Sequence, residues 1–258
     1  MKGGVGPLTL IGLQGIPEVT PGSDLAAIVA AALTTAQLAL VADDVLVVAQ
    51  KIVSKAEDRL VDLGAVVPGT RAQELAAITR KDARLVELIL SESTEVLRAQ
   101  TDVLIVRHRL GFVMANAGID RSNVASAGGR EQVLLLPRDP DASAAALRAG
   151  IRQRCGVAPG VVISDSFGRP WRKGVVNIAL GAAGVPALLN RRGEPDRAGR
   201  PLQVTEVGIG DALAAAAGLL MGEAAEGIPA VLLRGLRWSS PACNAQTLIR
   251  PLHEDLFR

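Results

Sequence analysis

Short apolar runs rich in β-branched residues recur along this chain, separated by helix-like stretches and by Gly/Pro turns. Residues 8–13, 45–50, 103–108, 111–116 and 133–137 read as strands, as does the segment GVVISDS. Several are apolar throughout, the pattern of a strand covered on both faces. Between them the spacing predicts helices. An uncharged, Ala-rich stretch fills 25–42, with Ser23 or Asp24 as its cap. Two helices with polar faces fit 71–79 and 83–91. A longer one starts among the cap signals at Asp139 to Ser143 and stops at Gly156. The segment VVNIALGAAGVPALL is apolar and broken by glycines, and its periodicity selects neither state. NRRGEPDRAGR reads as an exposed loop, PLQVTEVGIG as a strand, ALAAAAGLLMG as a helix capped by Asp211, and PAVLLRG as a last strand. The fold class is therefore α/β (mixed α+β), without the regular alternation of a doubly wound sheet. GxGxxG is missing after the first strand and GxxxxGK[ST] throughout, so it is neither Rossmann nor P-loop. The expected organisation is one domain over 1–258, open to division into two subdomains at a boundary the pattern does not mark.

Composition narrows the function classes. A chain of 258 residues buries a substantial core. It has no Tyr and few other aromatics, which argues against base stacking and so against a single-stranded nucleic-acid binder. The net charge is +2, with Lys and Arg scattered among Asp and Glu, so no basic stripe suits nucleic acid or lipid. The densest basic cluster is Arg169, Arg172 and Lys173. The uncharged stretch 25–42 is long enough for a membrane span, but its Ala content, Thr34, Thr35 and Gln37 favour a buried helix. With no signal peptide and two distant cysteines, Cys155 and Cys243, the expectation is a cytoplasmic protein bound neither to membrane nor to nucleic acid.

Three acidic segments carry the candidate chemistry: AGIDRSNV with Asp120, ISDSFGRPWRKG with Asp165, and VTEVGIGD with Glu206. Each sets a carboxylate in or beside an apolar run, where a carboxylate needs a partner. Converging strand ends would let them hold a hard cation. The plainer alternative is a set of exposed turn residues and helix caps. Asp165 and Ser166, ending the VVIS strand, resemble the way Mg²⁺ is held in phosphoryl-transfer sites. Gly168 permits a sharp turn there, and Arg169 and Arg172 supply forked donors. Lys51 and Lys55 flank QKIVSK. Lys55 with Ser54 suits a phosphate, or else the segment is a solvated strand edge. Glu206 inside an apolar strand is harder to explain as structure. Two histidines exclude a His-rich metal site, and GxSxG is missing. These features leave open a metal-dependent phosphohydrolase or kinase and a non-catalytic nucleotide-binding protein.

The succession GIPEV, VVAQKIVSKAED, GFVMANAGIDRSNV, LLPRDPDASAAALR, VVISDSFGRPWRKG, VTEVGIGDALAAAAGLL and PAVLLRG resembles the coenzyme F420-0:L-glutamate ligase (F420:γ-glutamyl ligase) family over nearly the whole chain, in its stand-alone form. The resemblance implies that family's own α/β fold, V-shaped subunits paired as a homodimer, and GTP-dependent, GDP-forming addition of L-glutamate to coenzyme F420-0 and again to F420-1. It implies two Mg²⁺ or Mn²⁺ sites, with Asp120 and Asp165 holding one cation and Ser166 and Glu206 the other, and leaves room for a monovalent cation such as K⁺. GTP contacts are implied at Ile16, Pro17, Glu18, Val19, Gln50, Lys55 and Asn123. A second set is implied at Val204, Thr205, Glu206, Val207, Gly208, Ile209, Gly210 and Asp211. Arg169, Arg172 and Lys173 are our own candidates for catalysis, holding phosphate or the incoming carboxylates. Where many relatives read VADELAAAA, this chain has GIGDALAAAA, which bears on the start of that helix.

Overall fold

A computed structural model describes residues 6–121 and 131–255. Its centre is a five-stranded sheet in the order β1–β12–β2–β8–β9. These strands are β1 (Thr9–Gly12), β2 (Val45–Ala49), β8 (Gly160–Arg169), β9 (Arg172–Ala183) and β12 (Ala230–Arg234). β2 and β8 run parallel, and the other neighbours pair antiparallel. Alternate residues divide between two cores, as the two-residue period of a strand requires. Leu46, Val48, Val161 and Ile163 face α1 (Leu25–Thr35) and α5 (Pro140–Cys155). Val45, Val47, Val162 and Val231 face α6 (Ile209–Met221). Such two-sided burial explains why β2 reads as an unbroken apolar run.

Helix ends follow local chemistry. The Asp24 side chain accepts the Ala27 N–H at 2.9 Å and starts α1. That helix stops at Thr35, well short of position 42: Thr34 bonds back to the Ala30 carbonyl, and Gln37 takes a left-handed φ of 54°. Asp139 caps α5 and Gly156 closes it with φ 73°. The first turn of α5 lies directly on β9. A Cβ at Gly181 would sit 2.1 Å from the Pro140 carbonyl oxygen, so only glycine fits there. Among the described residues no helix is long and apolar enough to cross a membrane. Both cysteines are free.

The chain between β2 and β8 carries a second group of elements. The segment QKIVSKA is helix α2 (Gln50–Ala56), not a strand edge. It leads to β3 (Leu60–Asp62), α3 (Thr70–Thr79), α4 (Ala83–Ser91), β4 (Ser93–Gln100), β5 (Val103–His108), β6 (Val113–Ala115) and β7 (Gln132–Leu134). β3 pairs with β7, and β4, β5 and β6 form a three-stranded sheet. Leu63, Leu75, Val86, Ile89, Leu104 and Val133 make a core of their own. An ionic cluster closes the neck of this group. Glu92 lies 3.0 Å from both Arg59 and Arg109 and 3.4 Å from His108 Nε2. Arg59 Nε donates to the Leu136 carbonyl, and Arg109 Nη1 to the Arg138 carbonyl. His108 Nδ1 accepts the Leu110 N–H, so its Nε2 carries the hydrogen that faces Glu92. Burial alone would raise the Glu92 pKa. Hydrogen bonds from His108 and Arg59 and the charges of both arginines outweigh it and hold the carboxyl at about 2.

β10 (Leu188–Asn190) and β11 (Glu206–Gly208) form a two-stranded ribbon beside α6. The strand expected over PLQVTEVGIG is thus only three residues long, and α6 already begins at Ile209. Asp211 lies in the first turn of α6 and caps nothing. Its carboxylate accepts the Ala179 N–H at 2.9 Å and ties α6 to β9. Burial raises the Asp211 pKa, partly offset by that bond.

Candidate active site

The parallel pair β2 and β8 ends at one edge of the central sheet, where open α/β sheets commonly bind ligands. The chain leaving β1 and the chain entering β12 reach the same edge. A cleft of about 410 Å³ opens there. Ile16, Pro17, Glu18 and Val19 line one side of it, and Gln50, Lys51 and Lys55 of α2 another. Asp165 and Ser166 form its wall toward β8. Lys55 is buried, and its ammonium meets Glu18 Oε1 at 2.5 Å across the cleft. Ser54 does not face the cleft with it: its hydroxyl is buried and donates to Gln50 Oε1 at 2.8 Å.

Asp165 and Ser166 do not end a strand. After an irregularity between Ile163 and Ser164, β8 continues to Arg169, with Asp165 opposite Ile178 and Ser166 opposite Asn177. Gly168 is inside the ribbon. The turn falls at Pro170 and Trp171, the latter at φ 65°. Asp120 approaches from the inserted elements. Three successive left-handed residues precede it, Asn116 (53°), Ala117 (54°) and Gly118 (66°). Left-handed geometry costs an L-residue such as Ala117 about 1–2 kcal/mol. The fully buried Ala117 methyl offsets this by packing in the core of the inserted elements. At Gly118 the left-handed φ of 66° favours glycine, and a Cβ there would press on the Met114 and Leu136 side chains. Asp120 is then fixed by reciprocal backbone bonds with Leu134, 2.9 and 2.8 Å long.

This turn brings Asp120 to Asp165. Lys51 Nζ lies 2.6 Å from Asp120 Oδ2. The Asp165 pKa is pushed up to about 7. Burial is the largest cause, and the negative charges of Asp120 and Glu223 add to it. The Ser166 N–H and the Lys51 charge oppose the rise without cancelling it. Two carboxylates and a hydroxyl thus meet beside Lys51. They are oxygen donors of the kind Mg²⁺ and Mn²⁺ take. Among the described residues no three Asp, Glu, His or Cys side chains are gathered as a complete metal cage. A Mg²⁺ bound by one or two carboxylates and completed by phosphate oxygens needs no such cage.

The other expected site residues are placed elsewhere. Glu206 is exposed on β11, opposite Asn190 and 3.3 Å from Arg192. Neither it nor the rest of the stretch Val204, Thr205, Val207, Gly208, Ile209, Gly210 and Asp211 lines a cavity with Asp165. Arg172 and Lys173 are exposed at the start of β9, and Arg169 pairs with Arg172 across the ribbon, its Nη2 donating to the Lys173 carbonyl. Asn123 lies outside the described residues. Two polar residues of the cleft carry no sequence signal: Asn177, buried against α6, and Glu223, just past the end of that helix.

The family model described as F420-0:Gamma-glutamyl ligase matches residues 14–235. The chain is 44% identical to the coenzyme F420:L-glutamate ligase of Methanopyrus kandleri, over 98% of this chain and 100% of the relative. It is 42% identical to that of Methanothermobacter thermautotrophicus, over 97% and 99%, and 42% identical to that of Haloarcula marismortui, over 97% and 96%. On a match of this extent, the chain belongs to the F420-0:gamma-glutamyl ligase family.

Proposed function

We propose that this protein is a GTP-dependent ligase that joins L-glutamate to coenzyme F420-0, and a further glutamate to F420-1, through an acyl phosphate. Support comes from membership of the family and from the names its relatives carry. The observation that carries the chemistry is the meeting of Asp120 with Asp165 and Ser166, the last two on the wall of a cleft that also holds Lys51 and Lys55.

Amide formation from a carboxylate needs a leaving group on the acyl carbon. A carboxylate oxygen of the acceptor attacks the γ-phosphorus of GTP, and the bond to the β-phosphate oxygen breaks, releasing GDP. The glutamate amine then attacks the acyl carbon. The acyl carbon–oxygen bond breaks, inorganic phosphate takes the electron pair, and the amine gives up a proton. No protein nucleophile is used. Lys55, released from Glu18, holds a phosphate by charge, and Gln50 fixes the floor of the cleft through Ser54. Lys51 sits where charge develops during transfer and holds the Asp120 carboxylate in place. Mg²⁺ or Mn²⁺ bound to Asp120, Asp165 and Ser166 would supply Lewis-acid neutralisation of the phosphates. Glu206 pairs with Arg192 on the β10–β11 ribbon. Arg172 and Lys173, exposed beside Arg169, are left as candidates for the incoming carboxylates.

The test is a mass spectrum of F420-0 incubated with the protein, GTP, Mn²⁺ and L-glutamate. A glutamylated product with one GDP per amide is expected. Asp165→Asn should abolish it and weaken Mn²⁺ binding measured by electron paramagnetic resonance, with circular dichroism unchanged. GDP release at full rate without glutamate and F420-0 would make the protein a phosphohydrolase instead.

A further inference from the structure

A second cavity, of about 540 Å³, opens on the far side of Asp165 and Ser166. Among the described residues those two are all that it shares with the first cleft, and they form a partition between two compartments. The compartments differ in chemistry. The first presents Glu18, Gln50, Lys51 and Lys55. The second is walled by Ile105, Val113, Met114 and Ala115 of the small sheet and by Phe167 of β8. Among the described residues its ionic groups are Asp120 and Asp165 at the partition and Arg169 farther along the ribbon. Four residue steps of strand separate the Cα atoms of Asp165 and Arg169, about 13 Å at the usual rise.

Of three reactants, one is a nucleotide, whose phosphates suit the lysine-bearing cleft. Glutamate is small and carries charge at both ends, and apolar walls would desolvate it without return. What remains is the acceptor, a larger molecule that must bring one carboxylate to the partition while the rest of it lies elsewhere. We propose that the second cavity binds this acceptor. Its reacting carboxylate lies at Asp165 and Ser166, facing the γ-phosphoryl group across the partition. Its apolar surface lies on Met114, Ala115 and Phe167. A second anionic group, toward the far end of the ribbon, meets the Arg169 guanidinium. Arg169 is then a specificity residue, selecting acceptors with negative charge at both ends of an apolar body. The assignment rests on the ligase reading and adds to it where the acceptor binds.

Ala115 and Val113 offer a direct test. Both lie on β6 at the wall of the cavity, and Val113 is 45% exposed, so a larger side chain there leaves the core intact. Affinities for F420-0 and for GTP are measured separately by calorimetry for the wild type, Ala115→Trp, Val113→Trp and Arg169→Gln. Each tryptophan is expected to raise the Kd for F420-0 at least tenfold and leave the Kd for GTP within twofold. Arg169→Gln is expected to raise the Kd for F420-0 about tenfold. If Ala115→Trp lowers the melting temperature, Val113→Trp decides. Unchanged F420-0 affinity in Val113→Trp and Arg169→Gln overturns the proposal, as does loss of GTP affinity in place of F420-0 affinity. A wild type that binds F420-0 in this cavity yet forms no amide sinks the ligase reading and leaves the assignment of the cavity standing.

Discussion

Replacing Glu92 by Gln should cost the protein about 3 kcal/mol at neutral pH, and the loss should fade in acid. Glu92 is the acceptor shared by Arg59, Arg109 and His108 where the inserted elements leave and rejoin the main body. Its pKa falls from 4.5 to about 2, which corresponds to about 3 kcal/mol. The side chain is only 12% exposed, so solvent screening removes little of this. A carboxyl depressed on folding stabilises above its unfolded pKa, and that stability is lost as pH falls through the folded value. The window therefore runs from pH about 4.5 down to about 2, and near pH 3 roughly 1 kcal/mol should remain. Urea unfolding of wild type and Glu92→Gln at pH 7 and pH 3 measures the difference directly, and other carboxylates cancel between the two proteins. The gap should shrink from about 3 to about 1 kcal/mol. A gap that stays constant between the two pH values, or one below about 1 kcal/mol at pH 7, would refute the reasoning. The cluster also bears on the site, because it anchors the elements that present Asp120. Glu92→Gln should therefore weaken Mn²⁺ binding without touching a proposed ligand.

Lys55→Ala should raise the KM for GTP about 10–100-fold with kcat nearly unchanged, the range of one charge-assisted hydrogen bond made equally in ground and transition states. An unchanged KM in steady-state kinetics would remove Lys55 from the nucleotide site. Arg234→Ala should destabilise the fold by about 3 kcal/mol, because it strands a buried carboxylate. Arg234 holds Asp44, only 1% exposed, by two bonds of 2.8 and 2.7 Å, and a stability loss below about 1 kcal/mol in urea would contradict this. The protein should run as a homodimer in light scattering. The motive is the exposed apolar surface at Trp171, Val204 and Leu219, and a mass of one 26.7 kDa subunit at micromolar concentration would count against it.

Much of the central sheet was legible in the apolar pattern. β2, β12 and the first half of β8 are buried on both faces, so nearly every residue in them is apolar. The helices with explicit end signals, α5 above all, were legible for the same local reason. β4 was not. Its sequence STEVLRAQ is largely exposed and it pairs only with β5, so neither alternation nor an apolar run marks it. The second half of β8 was misread because Asp165, Ser166 and Gly168 are turn-forming residues by local preference. Pairing with β9 overrides that preference along the whole ribbon. Glu206 looked like a buried anomaly because the strand around it was overestimated. In a three-residue ribbon it is an exposed carboxylate beside an arginine.

The meeting of Asp120 with Asp165 shows where local reading ends. Nothing in the spacing of the two segments joins them; their residue types allow a shared cation, and only the resemblance to a family assigns one to this pair. The structure joins them through pairings that are not local in sequence. α2 leads into β3, β3 pairs with β7, and Leu134 of β7 bonds Asp120 on its other side. The helix that carries Lys51 and the residue that Lys51 holds are thus fixed by the same short stack of strands. Asp165 reaches this stack from β8, the parallel neighbour of β2, the strand from which α2 emerges. Each contact is short once the sheet order is known, and the sheet order depends on a parallel crossover that spans the whole inserted segment. Composition and periodicity report which faces are buried. They do not report which buried strand lies beside which, and the charge at this partition depends on that second fact.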